Sequence, residues 1–133
     1  MTSGRALSSP LVPAPLVLGT EWIVDAHGCD PDSLRSRSVL QKVFATVVEQ
    51  MGLHPMSDAV WHVFPGEAGI TGVLLLSESH LTCHTFPEHR FAAFNLYSCR
   101  PAQPWPWEER LKQALAATRV SVRSFTRGDL DRE

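Results

Sequence analysis

TGVLLLSESHLTCHTFPEHRFAAFNLYSC, residues 71–99, reads as three extended segments. The first is apolar and runs from Ile70 to Leu76, the second from Ser79 to Phe86, where Pro87 stops it, and the third resumes at Phe91 and reaches Tyr97. Proline has no N–H for a sheet ladder, so it punctuates strands. Into these 29 residues the sequence also packs Glu78, Ser79, His80, Cys83, His84, Glu88 and Cys99. Ionisable and nucleophilic groups are costly in apolar strands unless they have partners or a task, so the stretch is a site as well as a core. Alternation assigns the faces: His80, Thr82, His84 and Phe86 share one, and Ser79, Leu81, Cys83 and Thr85 share the other. Ser79 and His84 are five residues apart, an odd number. An unbent strand therefore keeps His84 away from the Ser79 hydroxyl of its own chain.

Outward from this stretch the rest of the chain reads as scaffold. Glu21 to Ala26 is a first strand that ends in a turn at His27 to Cys29. Asp30-Pro31-Asp32 can cap a helix, and Leu40, Val43, Phe44, Val47, Val48 and Met51 recur at three- and four-residue steps until Gly52 ends it. Ala59 to Phe64 is a second strand. After Cys99, three prolines lead into a helix over 107–115, and Arg119 to Phe125 alternates as a closing strand. Together these predict an α+β fold: a two-layer sandwich in which an antiparallel sheet carries helices on one face. A sheet covered on one side leaves the other to be buried against something else.

At 133 residues the chain is one domain, with 44% apolar and 20% charged residues, as in globular proteins. Residues 1–19, with several prolines and no amphipathic period, read as a disordered or loosely docked tail, and 20–133 as the domain. A net charge of −2 without a Lys/Arg cluster gives no case for nucleic acid. No stretch approaches the ~18 apolar residues of a membrane span. Three cysteines and no secretory signal predict free thiols and a cytoplasmic protein.

The segment LLLSESHLTCHTFPEHRFAAFNLYSC resembles the processing and active-site segment of the bacterial S-adenosylmethionine decarboxylase proenzymes, which make their own pyruvoyl cofactor. Its parts are an ESH tripeptide, then HT-aromatic-PE, then an aromatic-rich strand ending in Cys. The similarity extends more thinly from Trp22 to about Gly128. The resemblance implies cleavage between Glu78 and Ser79, giving a β chain of residues 1–78 and an α chain of 79–133 that begins with the pyruvoyl group. It implies that His84 assists processing and that Thr71 stands where the family usually has a serine. Threonine keeps the hydroxyl but stiffens χ1. It implies that Cys99 is the proton donor in decarboxylation, a role open to a thiol because it is mostly protonated near neutrality. Glu88 corresponds to the carboxylate that holds the ribose hydroxyls. Phe64 corresponds to the aromatic that faces the adenine and the sulfonium, with Phe86 beside it in the substrate site. The loop after Phe64 is one residue longer than the family's. The family pairs two protomers sheet to sheet, so the resemblance also implies a homodimer. In it Ser79 and Cys99 come from one chain and Thr71, His84, Glu88 and Phe64 from the other.

Each residue also has a plainer reading taken alone. Cys99 would be a small buried hydrophobe, His84 a histidine satisfied by a backbone carbonyl, and Phe64 and Phe86 core. Other functions weighed are a pyruvoyl decarboxylase for arginine or ornithine and an unprocessed, non-catalytic subunit. A zinc site from His80, His84, His89 and a cysteine matches no standard ligand spacing, so no metal is expected.

Overall fold

The computed structural model describes residues 17–99 and 104–130. Its elements in chain order are β1 (Val17–His27), α1 (Pro31–Leu34), α2 (Arg37–Met51), β2 (Val60–Val63), β3 (Ile70–Leu76), β4 (Ser79–Phe86), a 3-10 turn (Pro87–His89), β5 (Phe91–Ser98), α3 (Trp107–Leu115) and β6 (Arg119–Asp129). The strands form one six-stranded sheet in the order β2-β3-β4-β5-β1-β6, and every pairing is antiparallel. The expected α+β two-layer architecture is observed.

Period-two burial sets the two faces. Trp22, Val24 and Ala26 of β1, Leu74 and Leu76 of β3, Leu81 and Cys83 of β4, and Ala92, Phe94 and Leu96 of β5 are buried beneath the helices. From the other layer come Leu40, Val43, Phe44 and Val47 of α2 and Trp107, Leu111 and Leu115 of α3. Each large apolar side chain so buried is worth about 1.5–3 kcal/mol. Trp61 lies across the bare backbone of Gly72, its cross-strand partner, where an added Cβ would sit 2.3 Å from the ring. The opposite face is open, with Val73, Leu75 and Phe86 exposed among polar groups.

Three boundaries differ from the sequence reading by more than one residue. The expected helix is two: Asp30 caps α1, and then Ser36 starts α2 by accepting the Val39 N–H at 3.2 Å. A serine hydroxyl can satisfy an orphan N–H only at a helix start, so it resets the helix there. β1 begins at Val17, which puts Val17 to Gly19 in the sheet rather than in a tail; the rest of that tail lies outside the described residues. β6 runs four residues past Phe125, because Arg127 and Asp129 pair with Gly19 and Val17.

Candidate active site

The Glu78–Ser79 bond lies at the tip of the β3–β4 hairpin, with Leu76 and Ser79 directly paired across a two-residue turn. Met56 and Ser77 N–H groups bond to the carbonyls of Leu75 and His54, which ties a neighbouring loop to this tip. The carbonyl of Glu78 accepts the N–H of Cys99 at 3.3 Å. Ser79 also pairs with Ser98 on β5, so Cys99 follows at the same end of the sheet. Register places the half-buried Ser79 side chain on the helix-facing side with Leu81 and Cys83, as alternation predicts. Cys99 is exposed, not the buried hydrophobe of the plainer reading.

The opposite end of the same two strands holds a second group. Thr71 and His84 are direct cross-strand partners, and Thr71 Oγ1 lies 3.0 Å from His84 Nδ1. Beside them opens a cleft of about 370 Å³, walled by Phe64 and Phe86 and edged by Glu67 and Glu88. That volume suits a small ligand, and two aromatic faces with two carboxylates suit a cationic one. The cleft's rim is fixed by the Phe64 N–H to Gly69 carbonyl bond at 2.8 Å and by Arg35, which holds Glu67 at 3.3 Å. Among the described residues, Glu88 makes no ion pair. His62 meets Phe64 edge to face at 4.5 Å.

Within one chain these two groups do not meet. Five strand residues separate His84 from Ser79, about 17 Å at ~3.4 Å per residue. Their side chains also point to opposite faces of β4. Thr71, His84, Phe64, Phe86 and Glu88 are therefore brought together, Glu78, Ser79 and Cys99 are brought together, and the first set cannot act on the second in the same chain. A pyruvoyl group fits the hairpin end chemically: a serine follows a turn carbonyl that already receives an N–H donor, and an accessible thiol lies beside it. Cys29 and Cys83 are poor candidates for acid–base work, because burial pushes their thiols up to about 11 and about 12.

The sequence reading missed a polar network on the open face near the hairpin end. Asn95 Nδ2 donates to Glu21 Oε2 at 2.8 Å, Asn95 Oδ1 lies 3.2 Å from His80 Nε2, and Arg127 Nη1 donates to Glu21 Oε1 at 2.6 Å. The Asn95 hydrogen bond, and then Arg127, hold the Glu21 carboxyl below its ordinary value. A depressed carboxyl stabilises the fold above its unfolded pKa of about 4.3, and that contribution is lost as pH falls through the folded value. Glu21→Gln should therefore lower the melting temperature at pH 7, and the difference from the parent should shrink toward zero below pH ~4. A difference that stays constant across that range would exclude the charge as the cause.

His80 and His84 share a face but stand four residues apart, about 13 Å along the strand. Each already engages a neighbour, Asn95 and Thr71 respectively, so the zinc reading has no common ligand position. Among the described residues, no group of three or more His, Cys, Asp and Glu side chains could hold a metal ion, and no helix is long and apolar enough to cross a membrane.

Known proteins are similar to this chain in sequence and in architecture. The S-adenosylmethionine decarboxylase family profile matches residues 20–128. The chain is 35% identical over 112 residues to S-adenosylmethionine decarboxylase proenzyme 2 of Halalkalibacterium halodurans, covering 84% of this chain and 87% of that one. It is 33% identical over 115 residues to the proenzyme of Thermotoga petrophila, covering 86% and 87%. Its fold is similar to the crystal structure of the adenosylmethionine decarboxylase from Aquifex aeolicus, with a TM-score of 0.72, 25% identity and coverage of 88% of this chain and 96% of that one. With the site's two halves laid out on that shared sheet, the chain belongs to the S-adenosylmethionine decarboxylase family.

Proposed function

We propose that this chain is a pyruvoyl-dependent S-adenosylmethionine decarboxylase that cleaves itself between Glu78 and Ser79, makes the decarboxylated nucleoside that donates an aminopropyl group to spermidine, and works as a cytoplasmic homodimer. The observation that carries this reading is the hydrogen bond from the Cys99 N–H to the carbonyl of Glu78. Attack by Ser79 Oγ on that carbonyl carbon converts the peptide into an ester and puts transient negative charge on the carbonyl oxygen. The Cys99 N–H is a donor already aimed at that atom. His84, with Thr71 at 3.0 Å fixing its ring, supplies the acid–base function. It does so from the partner protomer, because the intrachain separation is too long.

The pyruvoyl carbonyl, once formed, supplies the electron sink that lets the substrate carboxylate leave as CO2. The chain's own residues do the rest. Phe64 and Phe86 offer ring faces to the sulfonium and adenine, a contact worth about 0.5–2 kcal/mol per cation. Glu88 is available to the ribose hydroxyls, and Cys99 carries the proton needed at the substrate carbon after CO2 departs. The exposed apolar side chains of the open face, Val73, Leu75 and Phe86, give a second sheet a surface to cover.

Two measurements test this. Intact mass under denaturing conditions should give fragments 1–78 and 79–133 from the parent and a single 14.8 kDa chain from Ser79→Ala. CO2 release should then be seen with S-adenosylmethionine and not with arginine or ornithine. An uncleaved parent after long incubation would sink the proposal in favour of a silent subunit. Release from a basic amino acid alone would redirect it to that substrate.

A further inference from the structure

We infer that Tyr97 is a positioning residue for the Cys99 thiol, with Gly19, His80 and Arg127 forming the seat that fixes its phenol. The inference rests on the reading of Cys99 as proton donor. Tyr97 precedes Cys99 by two residues and lies on the open face, with its phenol next to the Cys99 side chain. Three other elements hold it. The His80 ring of β4 stacks at 6.0 Å and 19°. Arg127 of β6 sits 5.9 Å above the ring while ion-paired to Glu21 of β1. Gly19 of β1 leaves the hollow that receives the hydroxyl end: an added Cβ there would lie 2.6 Å from Tyr97 Oη and 2.7 Å from Cζ. A side chain gripped on both faces and at its tip has little rotamer freedom, so its hydroxyl is a fixed point for a neighbour to bond to. Cys99 lies just past the end of β5, where its backbone N–H is tied to the Glu78 carbonyl while its side chain is exposed. A phenol is an O–H donor at neutral pH, and burial, and then the adjacent Cys99, raise this one further above its ordinary value.

Direction matters because the electron pair left by the departing carboxylate has two places to take a proton. Protonation at the substrate carbon, followed by hydrolysis, releases the product amine and restores the pyruvoyl carbonyl. Protonation at the cofactor carbon followed by addition of water instead leaves the amino group on the chain. The terminus is then alanine, and the substrate departs as an aldehyde. A thiol held by Tyr97 delivers to the first position.

The test compares the full chain with Tyr97→Phe, Gly19→Ala and Cys99→Ser after turnover with S-adenosylmethionine, reading by mass the alanine-terminated fraction of fragment 79–133 for each CO2 released. This ratio is independent of how much protein is folded. Tyr97→Phe and Gly19→Ala should each raise it about tenfold, as expected for a reacting group displaced from its geometry, and Cys99→Ser should raise it further. If Cys99→Ser raises the ratio while the other two match the parent, the positioning role falls and the donor reading stands. If Cys99→Ser itself matches the parent, or the parent does not cleave, the donor reading falls and the positioning role goes with it.

Discussion

Chains carrying Ser79→Ala and chains carrying His84→Ala should each be uncleaved and inactive alone, and should regain both cleavage and decarboxylation when co-expressed. The reason is geometric. Ser79 and Cys99 sit at one end of β4 and β5, while Thr71 and His84 form their 3.0 Å pair at the other end of the hairpin. A two-fold dimer built face to face contains two composite sites, each taking one end from each chain. In a mixed dimer the His84→Ala chain supplies an intact Ser79 and the Ser79→Ala chain supplies an intact His84, so one site is whole and the other is doubly broken. The mass spectrum should accordingly be one-sided: fragments come only from the His84→Ala chain, and the Ser79→Ala chain stays full-length. Removing a general base or a nucleophile costs orders of magnitude in rate, so restoration is an all-or-none signal against that background. A mixture as inactive as its components would mean that both groups must come from the same chain. The composite site, and the dimer argued from it, would then be wrong.

The half of this arrangement that concerns strand faces was legible because period-two patterning is local. Leu81, Cys83 and Thr85 are buried and His84 and Phe86 exposed in the alternation their sequence announces. The stop at Pro87 and the Gly52 cap likewise act on their own neighbours. The cleft was legible only as membership, since Phe64, Phe86 and Glu88 were named while Glu67, Gly69 and Thr85 were not. What escaped were contacts between residues far apart in the chain: Asn95 to Glu21 spans 74 positions and Arg127 to Glu21 spans 106. No pattern within a window of ten residues contains such pairs. Strand β6 shows the same limit. Its last residues, Thr126-Arg127-Gly128-Asp129, carry no apolar alternation and are ordered by pairing with β1. The helix break at Ser36 had a local signal, a serine cap, which the apolar repeat of α2 overshadowed.

Thr85 carries the largest stability effect expected of a change that keeps side-chain size. The ladder between β3 and β4 ends at the Thr71–His84 pair. One residue further, the Thr85 hydroxyl takes over, accepting the Ile70 N–H at 2.9 Å and donating to the Leu34 carbonyl at 2.8 Å. The residue is 4% exposed, so neither backbone group has water as an alternative. Thr85→Val keeps the shape and removes the oxygen, stranding a donor and an acceptor. At about 1–3 kcal/mol for each unsatisfied buried group, a loss of about 3 kcal/mol is expected, a large share of the 5–15 kcal/mol that holds a typical domain together. Thr85→Ser keeps the hydroxyl and drops one methyl, for about 1 kcal/mol. Urea unfolding of the two variants separates the causes: the midpoint should fall much further for valine than for serine, with unchanged slope. Because Thr85 joins α1, β3 and β4 at the residue after His84, the valine variant should also self-cleave more slowly while still folded, and the serine variant near the parent rate. If valine proves no less stable than serine, the Thr85 hydroxyl does not hold this corner, and the Thr71–His84 geometry must be fixed by the strand ladder alone.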